Sequence, residues 1–487
     1  MGLDSRRIDS IVERVMRRLE DEGAVPGRKA PADDGPRVRP AARVHQRGPV
    51  FESVDEAASA ARRAFLDLGD TTLETRDRMI AACRAAVEEH APELSRLAVE
   101  ETGLGRYEDK IKKNLLVGRK TPGTEVLVPD ARSGDHGLTL QECAPYGVIL
   151  SVTPSTNPSE TVINNGIGML AGGNATVFAP HPGAARVSQL TVSLLDQAVQ
   201  AAGGPPNVFT TVATPSIQAT QALMRHEKIR LLVVTGGGAV VQEAMSVGKR
   251  AITAGPGNPP VVVDTTADLD RAARGIYFGA SFDNNVICTD EKAVIAVDRV
   301  QPDLVQRMTS HGAYELKGRE LQLVKELVLT EDRGPRRKSK VNRDFIGKDA
   351  GVILEAAGIS GPKDTRLLVA QVEDTHPFLW TEMMMPVIGV CAARDVDTAI
   401  DLAREIEGGC FHTASMYSRN IEKLSRMARI CDCSIFIKNG PNYNGLGEGG
   451  EGFTSFTIAS PTGEGMTTAR SFTRFRRCAL IDSFRIV

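Results

Sequence analysis

One cysteine, Cys288, lies in a segment whose composition suits nucleophilic chemistry. Residues 278–289 read FGASFDNNVICT, so Cys288 follows small and polar residues and precedes an apolar stretch typical of a strand. A cysteine in a polar turn can be partly exposed and ionised by dipoles or a nearby cation, which makes it a nucleophile. From this segment alone, a buried structural thiol remains the alternative. The eight cysteines form no CxxC pair, so we predict no metal site.

Two further segments combine a predicted strand with a turn that can bind an anion. Residues 149–158, ILSVTPSTNP, predict a strand entering a proline-bounded turn. Asn157 in that turn can either direct its amide N–H at an oxyanion or satisfy loop backbone. Residues 228–238, KIRLLVVTGGG, predict a strand, a glycine turn and a helix. Such a turn suits a pyrophosphate. It lacks the GxGxxG spacing, however, and tight turns require glycine for steric reasons alone.

The elements around these segments alternate between strand and helix patterns. Helices are predicted at 54–68, 74–101 and 106–119. Strands follow at 146–153, 175–179, 208–212, 229–234 and 260–264, with helices at 161–172, 184–201, 216–226 and 239–248 between them. This alternation predicts an α/β fold with a parallel, doubly wound sheet, which binds ligands at the carboxyl ends of its strands.

A second α/β region follows the first. Helix 269–278 precedes strand 292–297, and the stretch 302–358 is mostly helical. The remaining predicted elements are strands 367–372, 386–390 and 413–417 and helices 396–406 and 419–431. Because 487 residues exceed one ordinary core, we expect two or three domains.

The N-terminal segment differs from the rest of the chain. Residues 1–22 predict an amphipathic helix, whose apolar stripe consists of Ile8, Ile11, Val12, Val15, Met16 and Leu19. Residues 23–48 contain four prolines and no periodicity, which is typical of a flexible linker. The stripe is available for docking in a partner's groove, for packing on the body or a neighbouring subunit, or for a membrane surface.

Composition excludes several classes of partner. The formal net charge of −2 gives no bulk attraction to nucleic acid or anionic membrane. No apolar run approaches the roughly 18 residues of a membrane span, and the N-terminus lacks the apolar core of a secretory signal.

Several motifs in order resemble those of the coenzyme A-acylating aldehyde dehydrogenases of bacterial microcompartments. They are TPSTNP at 153–158, FAPHP at 178–182, NNVIC at 284–288, Asn342-Arg343, 354–358, the glycine-rich 440–452, GEG at 463–465 and ARSFT at 469–473. The resemblance extends from about residue 51 to the C-terminus. Enzymes of this family convert acetaldehyde or propionaldehyde to the acyl-CoA.

The resemblance implies a Rossmann-type nucleotide-binding domain, an α/β catalytic domain and a small oligomerisation arm. It assigns the nucleophile to Cys288 and an oxyanion donor to Asn157, and it places Glu382 at the nicotinamide ribose. The other cofactor-binding residues that it implies are Thr153, Pro154, Pro180, His181, Thr235, Gly236, Gly237 and Gly255. NAD is the expected cofactor and coenzyme A the co-substrate.

The resemblance also implies partners and a location. The N-terminal helix is similar to the encapsulation peptides that dock on microcompartment shell proteins. We therefore expect a cytoplasmic enzyme inside a bacterial microcompartment, and a homo-oligomer, either a dimer or a tetramer. The alternatives are a hydrolytic aldehyde dehydrogenase or an acyl-phosphate reductase on the same fold, or a non-catalytic shell adaptor.

Three departures from the wider family bear on the chemistry. Hydrolytic members carry a glutamate that activates water, whereas residues 252–259, ITAGPGNP, contain no carboxylate. Losing a positioned base removes roughly 100- to 10,000-fold of assistance, so we expect coenzyme A rather than water to release the acyl group. Ala179 stands where many relatives have a lysine that binds the adenine ribose. The choice between NAD and NADP as cofactor therefore stays open. TPSTNP is also one residue longer than the common motif.

We divide the chain into segments on these grounds. They are the docking helix (1–22), the linker (23–48), the nucleotide-binding domain (49–266, with oligomerisation strands near 122–145), the catalytic domain (267–453), and a C-terminal segment with the oligomerisation arm (454–487).

Overall fold

The computed structural model describes residues 48–486 of the chain. The docking helix predicted for residues 1–22, and the predicted linker as far as residue 47, lie outside the described residues. None of the described helices is long and apolar enough to cross a membrane.

Up to residue 264, most strands are followed by helices. The strands are β1 (Val50–Phe51), β2 (Asp130–Gly134), β3 (Gly137–Pro145), β4 (Val148–Thr153), β5 (Ala175–Pro180), β6 (Phe209–Val212), β7 (Ile229–Thr235), β8 (Ala251–Ala254) and β9 (Pro260–Val263). The helices are α1 (Val54–Leu68), α2 (Leu73–Thr102), α3 (Tyr107–Lys120), α4 (Pro158–Ala171), α5 (Ala185–Ala201), α6 (Ile217–Arg225) and α7 (Gly238–Ser246).

Beyond residue 264 the alternation continues with shorter elements. The strands are β10 (Ala293–Val297), β11 (Tyr314–Glu315), β12 (Leu329–Glu331), β13 (Lys340–Val341), β14 (Leu368–Gln371), β15 (Val387–Ala393), β16 (Thr413–Tyr417), β17 (Ile435–Lys438), β18 (Ile458–Ala459), β19 (Gly465–Met466) and β20 (Thr473–Ile481). The helices are α8 (Leu269–Ala280), α9 (Gln301–Ser310), α10 (Arg319–Val328), α11 (Ala350–Ala356), α12 (Pro377–Trp380), α13 (Val396–Glu407) and α14 (Ile421–Cys431).

The first sheet is parallel, with strand order β1-β6-β5-β4-β7-β8. From β6 onward this is the order of a doubly wound nucleotide-binding sheet. Successive strands are added in one direction from β4 to β6 and in the opposite direction from β7 to β8, so the order reverses between β4 and β7. Every residue of β4 is buried, because α4 and its neighbours cover one face of the sheet while α1 covers the other. Strands buried on both faces read as continuous apolar runs.

The second sheet is also parallel, with strand order β11-β14-β15-β10-β9-β16-β17. The amino ends of β10, β15 and β16 follow directly after Lys292, Pro386 and His412. In the second sheet, candidate site residues therefore lie in loops that precede strands. In the first sheet, they lie in turns that follow strands.

A third, antiparallel sheet consists of β2, β3 and β20. It joins residues near 130–145 to the C-terminal segment, with Thr473 opposite Pro145 and Ile481 opposite Gly137. The outward residues of β20 are largely exposed, and they include Phe475, Leu480 and Ile481. Its role as an oligomerisation arm remains a prediction.

The α/β architecture is confirmed, but one strand was assigned to the wrong sheet. The strand predicted at 260–264 was expected to close the first alternation. Instead β9 pairs with β10 and β16 at the centre of the second sheet, and β8, which was not predicted, closes the first. Four consecutive buried residues fit either sheet, so only the tertiary pairing decides where such a strand lies.

Candidate active site

A cleft of about 760 Å³ lies between the carboxyl ends of the first sheet and the amino ends of the second. All eleven predicted site residues line it: Thr153, Pro154, Asn157, Pro180, His181, Thr235, Gly236, Gly237, Gly255, Cys288 and Glu382. They come from chain segments more than 200 residues apart. The structure thus brings the predicted residues together, while the role of each one remains to be tested.

Cys288 lies at the tip of a tight turn. The N–H of Ile287 donates to Asp290 Oδ2 (3.2 Å), and the N–H of Asp290 donates to the carbonyl of Ile287 (3.1 Å). The buried Lys292 ammonium donates to the carbonyls of Asn285 (2.6 Å) and Ile287 (3.0 Å). These contacts fix the turn, so the direction of the Cys288 side chain is set by its surroundings.

The residues before this turn have strained backbone. Asp283, Asn284 and Asn285 have φ angles of 45°, 55° and 63°, in the left-handed region that non-glycine residues rarely adopt. Asp283 receives the N–H of Arg106 (2.7 Å), and Asn284 donates to the carbonyl of Gly347 (2.9 Å). Strain of about 1–3 kcal/mol per residue persists only where the surroundings over-determine the conformation.

The surroundings of the Cys288 thiol favour its protonated form. Its side chain is partly exposed to the cleft, yet burial, followed by the negative charge of Glu382, raises the pKa of the thiol to about 12. The Lys292 cation acts in the opposite direction. The nucleophile therefore becomes reactive only when a proton is removed or when positive charge enters the cleft.

Asn157 occupies the cap position before α4 without capping the helix. Its side chain makes no bond to the first-turn N–H groups. Instead Asn157 Oδ1 accepts a hydrogen bond from Lys113 Nζ (2.6 Å). Because the ammonium can only donate, it fixes which end of the amide is the oxygen. Within residues 48–486, the amide nitrogen Nδ2 makes one hydrogen bond, to Thr156 Oγ1 (3.1 Å).

The opposite part of the cleft has the features of a phosphate site. Helix α7 begins at Gly238, after Thr235, Gly236 and Gly237, and a Cβ added at Gly237 would meet no atom within 4 Å. Bare N–H groups and the positive end of a helix dipole therefore face the cleft. On the neighbouring strand, the buried hydroxyl of Thr153 has no partner in the described part of the protein.

Glu382 is held on the same wall as Cys288. The N–H of Gly257 lies 3.4 Å from Glu382 Oε1, and burial raises the pKa of the carboxyl. Apolar side chains form the wall beside the nucleophile, among them Ile287, Leu446, Phe456 and Ile458. Val286 also lines the cleft, whereas Thr289, the residue after the nucleophile, is fully buried and is not a lining residue.

Comparison with known proteins identifies the family to which the chain belongs. The model of the aldehyde dehydrogenase family matches residues 41–453. The chain belongs to the aldehyde dehydrogenase family. It is 50% identical to the acetaldehyde dehydrogenase (acetylating) of Salmonella typhimurium, with 100% of each chain covered. It is 45% identical to the propanal dehydrogenase (CoA-propanoylating) of Citrobacter freundii, with 90% of this chain and 94% of that one covered.

Solved structures of this family agree with the fold. The propionaldehyde dehydrogenase of Rhodopseudomonas palustris, with bound CoA and an acylated cysteine, is similar at a TM-score of 0.86 and 46% identity, covering 89% of this chain and 98% of that one. The propionaldehyde dehydrogenase of a fucose utilisation microcompartment in Clostridium phytofermentans has a TM-score of 0.87 and 43% identity, covering 91% and 100%. The predicted resemblance is therefore confirmed.

The segment that lacks the hydrolytic glutamate lies within the cleft of this aldehyde dehydrogenase. Gly255 and Pro256, which follow β8, line the cleft directly. The carboxylates among the described lining residues are Glu243, on α7, and Glu382. No carboxyl group therefore stands in the segment where hydrolytic members place theirs.

One polar residue near the nucleophile was missed by the sequence analysis. His412 precedes β16 and is buried, and a Cβ added at Gly257 would lie 2.8 Å from the Cys288 carbonyl oxygen and 2.9 Å from His412 Cγ. Burial lowers the pKa of its imidazole to about 4, and its Nε2 has no hydrogen-bond partner in the described part of the chain. The signal in the sequence that could have identified His412 was its position directly before the strand predicted at 413–417.

Proposed function

We propose that this aldehyde dehydrogenase oxidises a short-chain aldehyde, of two or three carbons, with NAD and coenzyme A to give the acyl-CoA and NADH. The observation that carries this proposal is that Cys288 and Asn157 face the same cleft as the α7 N-terminus, with no carboxylate in the 252–259 segment. Relatives named as acetylating or CoA-propanoylating match 100% and 90% of the chain.

The first half of the reaction forms a thioester. The Cys288 sulfur attacks the aldehyde carbon and releases its proton to solvent, and the carbonyl oxygen becomes an oxyanion. Asn157 Nδ2 and the Cys288 backbone N–H donate to that oxygen. Loss of hydride from the same carbon then leaves the acyl group on the sulfur.

The cofactor part of the cleft fits NAD. The unpartnered hydroxyl of Thr153 and the side-chain-free turn at Gly236 and Gly237 suit phosphates and ribose at the α7 N-terminus. Glu382 can bind ribose hydroxyls through its two carboxylate oxygens. NAD bound there supplies the hydride acceptor and a positive charge beside the thiol. Pro154, Pro180, His181 and Gly255 complete this part of the site.

The second half transfers the acyl group to coenzyme A. A thiol is more acidic and more nucleophilic than water, so it depends less on a positioned base. We propose that neutral His412 accepts its proton at Nε2, which has no other partner among the described residues. Because both cofactors use one cleft, the kinetics are ping-pong.

The arm and the N-terminus complete the proposal. Exposed apolar side chains on β20, including Phe475 and Ile481, are suited to a contact between subunits. We propose a homo-oligomer, a dimer or a tetramer. We also propose that residues 1–22 dock on shell proteins of a microcompartment. Deleting them should keep activity and abolish co-assembly with the shell.

A coenzyme A-dependent NADH assay across aldehydes of two to five carbons tests the activity. The wild-type protein should require coenzyme A for turnover, release acyl-CoA with little free acid, and lose activity in Cys288→Ala. Cys478→Ala, an exposed cysteine on β20, is the matched control. Free acid as the main product would indicate a hydrolytic enzyme, and phosphate dependence an acyl-phosphate reductase. Full activity in Cys288→Ala would refute the mechanism, and inactivity with all aldehydes would favour a shell adaptor.

A further inference from the structure

Two lysines of α3 are wholly buried next to the catalytic turn. Lys110 and Lys113 are one helical turn apart, and neither side chain is exposed to solvent. Their ammonium groups meet two buried carboxylates, Asp283 and Glu160. Charged side chains almost never lie wholly in a protein interior unless they are paired, and here each ammonium group has a buried carboxylate partner.

Lys113 contacts both halves of the candidate site. Its Nζ lies 2.6 Å from Asn157 Oδ1, in the turn after β4, and 2.5 Å from Asp283 Oδ2, in the strained segment before Cys288. It also lies 3.0 Å from Glu160 Oε1 on α4. Asn157 follows a strand of the first sheet, and Asp283 precedes a strand of the second sheet. This one ammonium group therefore connects the two parts of the site.

Lys110 supports the same arrangement. Its Nζ donates to Asp283 Oδ2 (3.1 Å) and to the carbonyl of Thr156 (3.1 Å), the residue before Asn157. Asp283 is further anchored by its own N–H, which donates to Asp109 Oδ2 (3.1 Å). Asp283 and the backbone next to Asn157 are therefore also held by contacts that do not involve Lys113.

Stability alone does not explain this cluster. Desolvation of buried ion pairs often exceeds their attraction, and apolar residues of similar volume are commonly as stable or more so. Burial disfavours the charged form of Lys113, but Asp283 and Glu160 outweigh it and raise the pKa of the ammonium. The two carboxylates thus favour the charged form of Lys113, whose close contacts can serve orientation.

We propose that Lys113 is the positioning residue of the oxyanion site, holding the Asn157 amide with Oδ1 turned inward and Nδ2 directed to the aldehyde oxygen. This inference rests on the proposed function. An amide that loses this contact can rotate and present its oxygen, which repels an oxyanion. Lys113 itself does not touch the substrate.

The inference predicts a specific kinetic pattern for Lys113→Met, which keeps the length of the side chain and removes the charge. Asn157→Ala should lower kcat by about 10²- to 10³-fold, the usual effect of losing one oxyanion donor. Lys113→Met should lower kcat at least tenfold, and the double variant should be no slower than Asn157→Ala alone, within about threefold. Lys112→Met, whose side chain is 55% exposed on the same helix, is the control.

A second measurement separates positioning from misfolding. Alkylation of Cys288 by iodoacetamide does not use the oxyanion site, so its rate should stay within about threefold of wild type in Lys113→Met. A disrupted fold would change both rates. Multiplicative losses in the double variant, or a wild-type rate in Lys113→Met, would overturn the inference.

Two outcomes need separate treatment. If the wild-type enzyme forms no NADH from aldehyde and coenzyme A, the proposed function fails. If Lys113→Met does not fold, a crystal structure of the wild-type enzyme acylated on Cys288 decides. The thioester oxygen should then lie on Asn157 Nδ2, with Lys113 Nζ on Oδ1. An amide turned the other way, or a displaced Lys113, refutes the positioning role.

Discussion

The backbone N–H of Gly257 lies 3.4 Å from Glu382 Oε1, which joins the segment after β8 to the carboxylate beside the nucleophile. Glu382 thus has a fixed position from which its charge acts on Cys288. After burial, it is the largest cause of the raised pKa of that thiol. The carboxylate that we propose for ribose binding therefore also disfavours the Cys288 thiolate.

Replacing Glu382 by glutamine should therefore activate the free thiol. Removing the negative charge lowers the pKa of Cys288, so iodoacetamide should alkylate it about two- to tenfold faster at pH 8. The same change should raise KM for NAD, because the ribose loses the charged partner that we propose for it. Glu243→Gln, which changes the second carboxylate among the described lining residues, should leave the alkylation rate unchanged. Slower alkylation in Glu382→Gln would contradict the electrostatic reading.

The pH dependence of alkylation should follow the raised pKa. With the pKa of Cys288 at about 12, the thiolate fraction grows tenfold per pH unit throughout the neutral and alkaline range. The logarithm of the rate should thus rise linearly from pH 7 to 10 without a plateau. Adding NAD brings positive charge near the sulfur, lowers the pKa of the thiol and should shift the profile to lower pH. A plateau near pH 8 in the free enzyme would be inconsistent with this burial.

Gly237→Ala should separate cofactor binding from stability. The added Cβ meets no protein atom within 4 Å, so the thermal unfolding midpoint should change little. The same Cβ would project where we propose that phosphates approach the α7 N-terminus, so KM for NAD should rise about tenfold. Gly134→Ala, on β2 and equally free of contacts, is the control. An unchanged KM would place the phosphates elsewhere.

His412→Gln should affect the second half of the reaction more than the first. The imidazole is neutral above about pH 5, because burial lowers its pKa to about 4. Rapid mixing should show the first equivalent of NADH at a nearly normal rate, while steady-state turnover with coenzyme A falls by about 10²-fold. His311→Gln, exposed at the end of α9, should behave as wild type. Equal slowing of both phases would remove His412 from the transfer step.

Much of the fold could be predicted because its signals are local. Helix α1 was predicted at its observed bounds, since Ser53 and Glu56 form a capping box next to an alanine-rich buried face. The buried strands β4, β5 and β7 are short apolar runs, which turns and helices separate. By contrast β9 could not be assigned to its sheet, because both sheets accept four buried residues.

The candidate site shows the same division. From the sequence, local residue types made Cys288 and Asn157 candidates, and the resemblance to the family implied their roles and the other nine predicted residues that line the cleft. The tertiary structure decided how these groups behave: the direction of the Asn157 amide, the raised pKa of Cys288 and the nearness of His412. Each depends on residues distant in the chain, as Lys113 and Asn157 are 44 positions apart. Contacts and burial of that kind exist only once the two sheets have folded together.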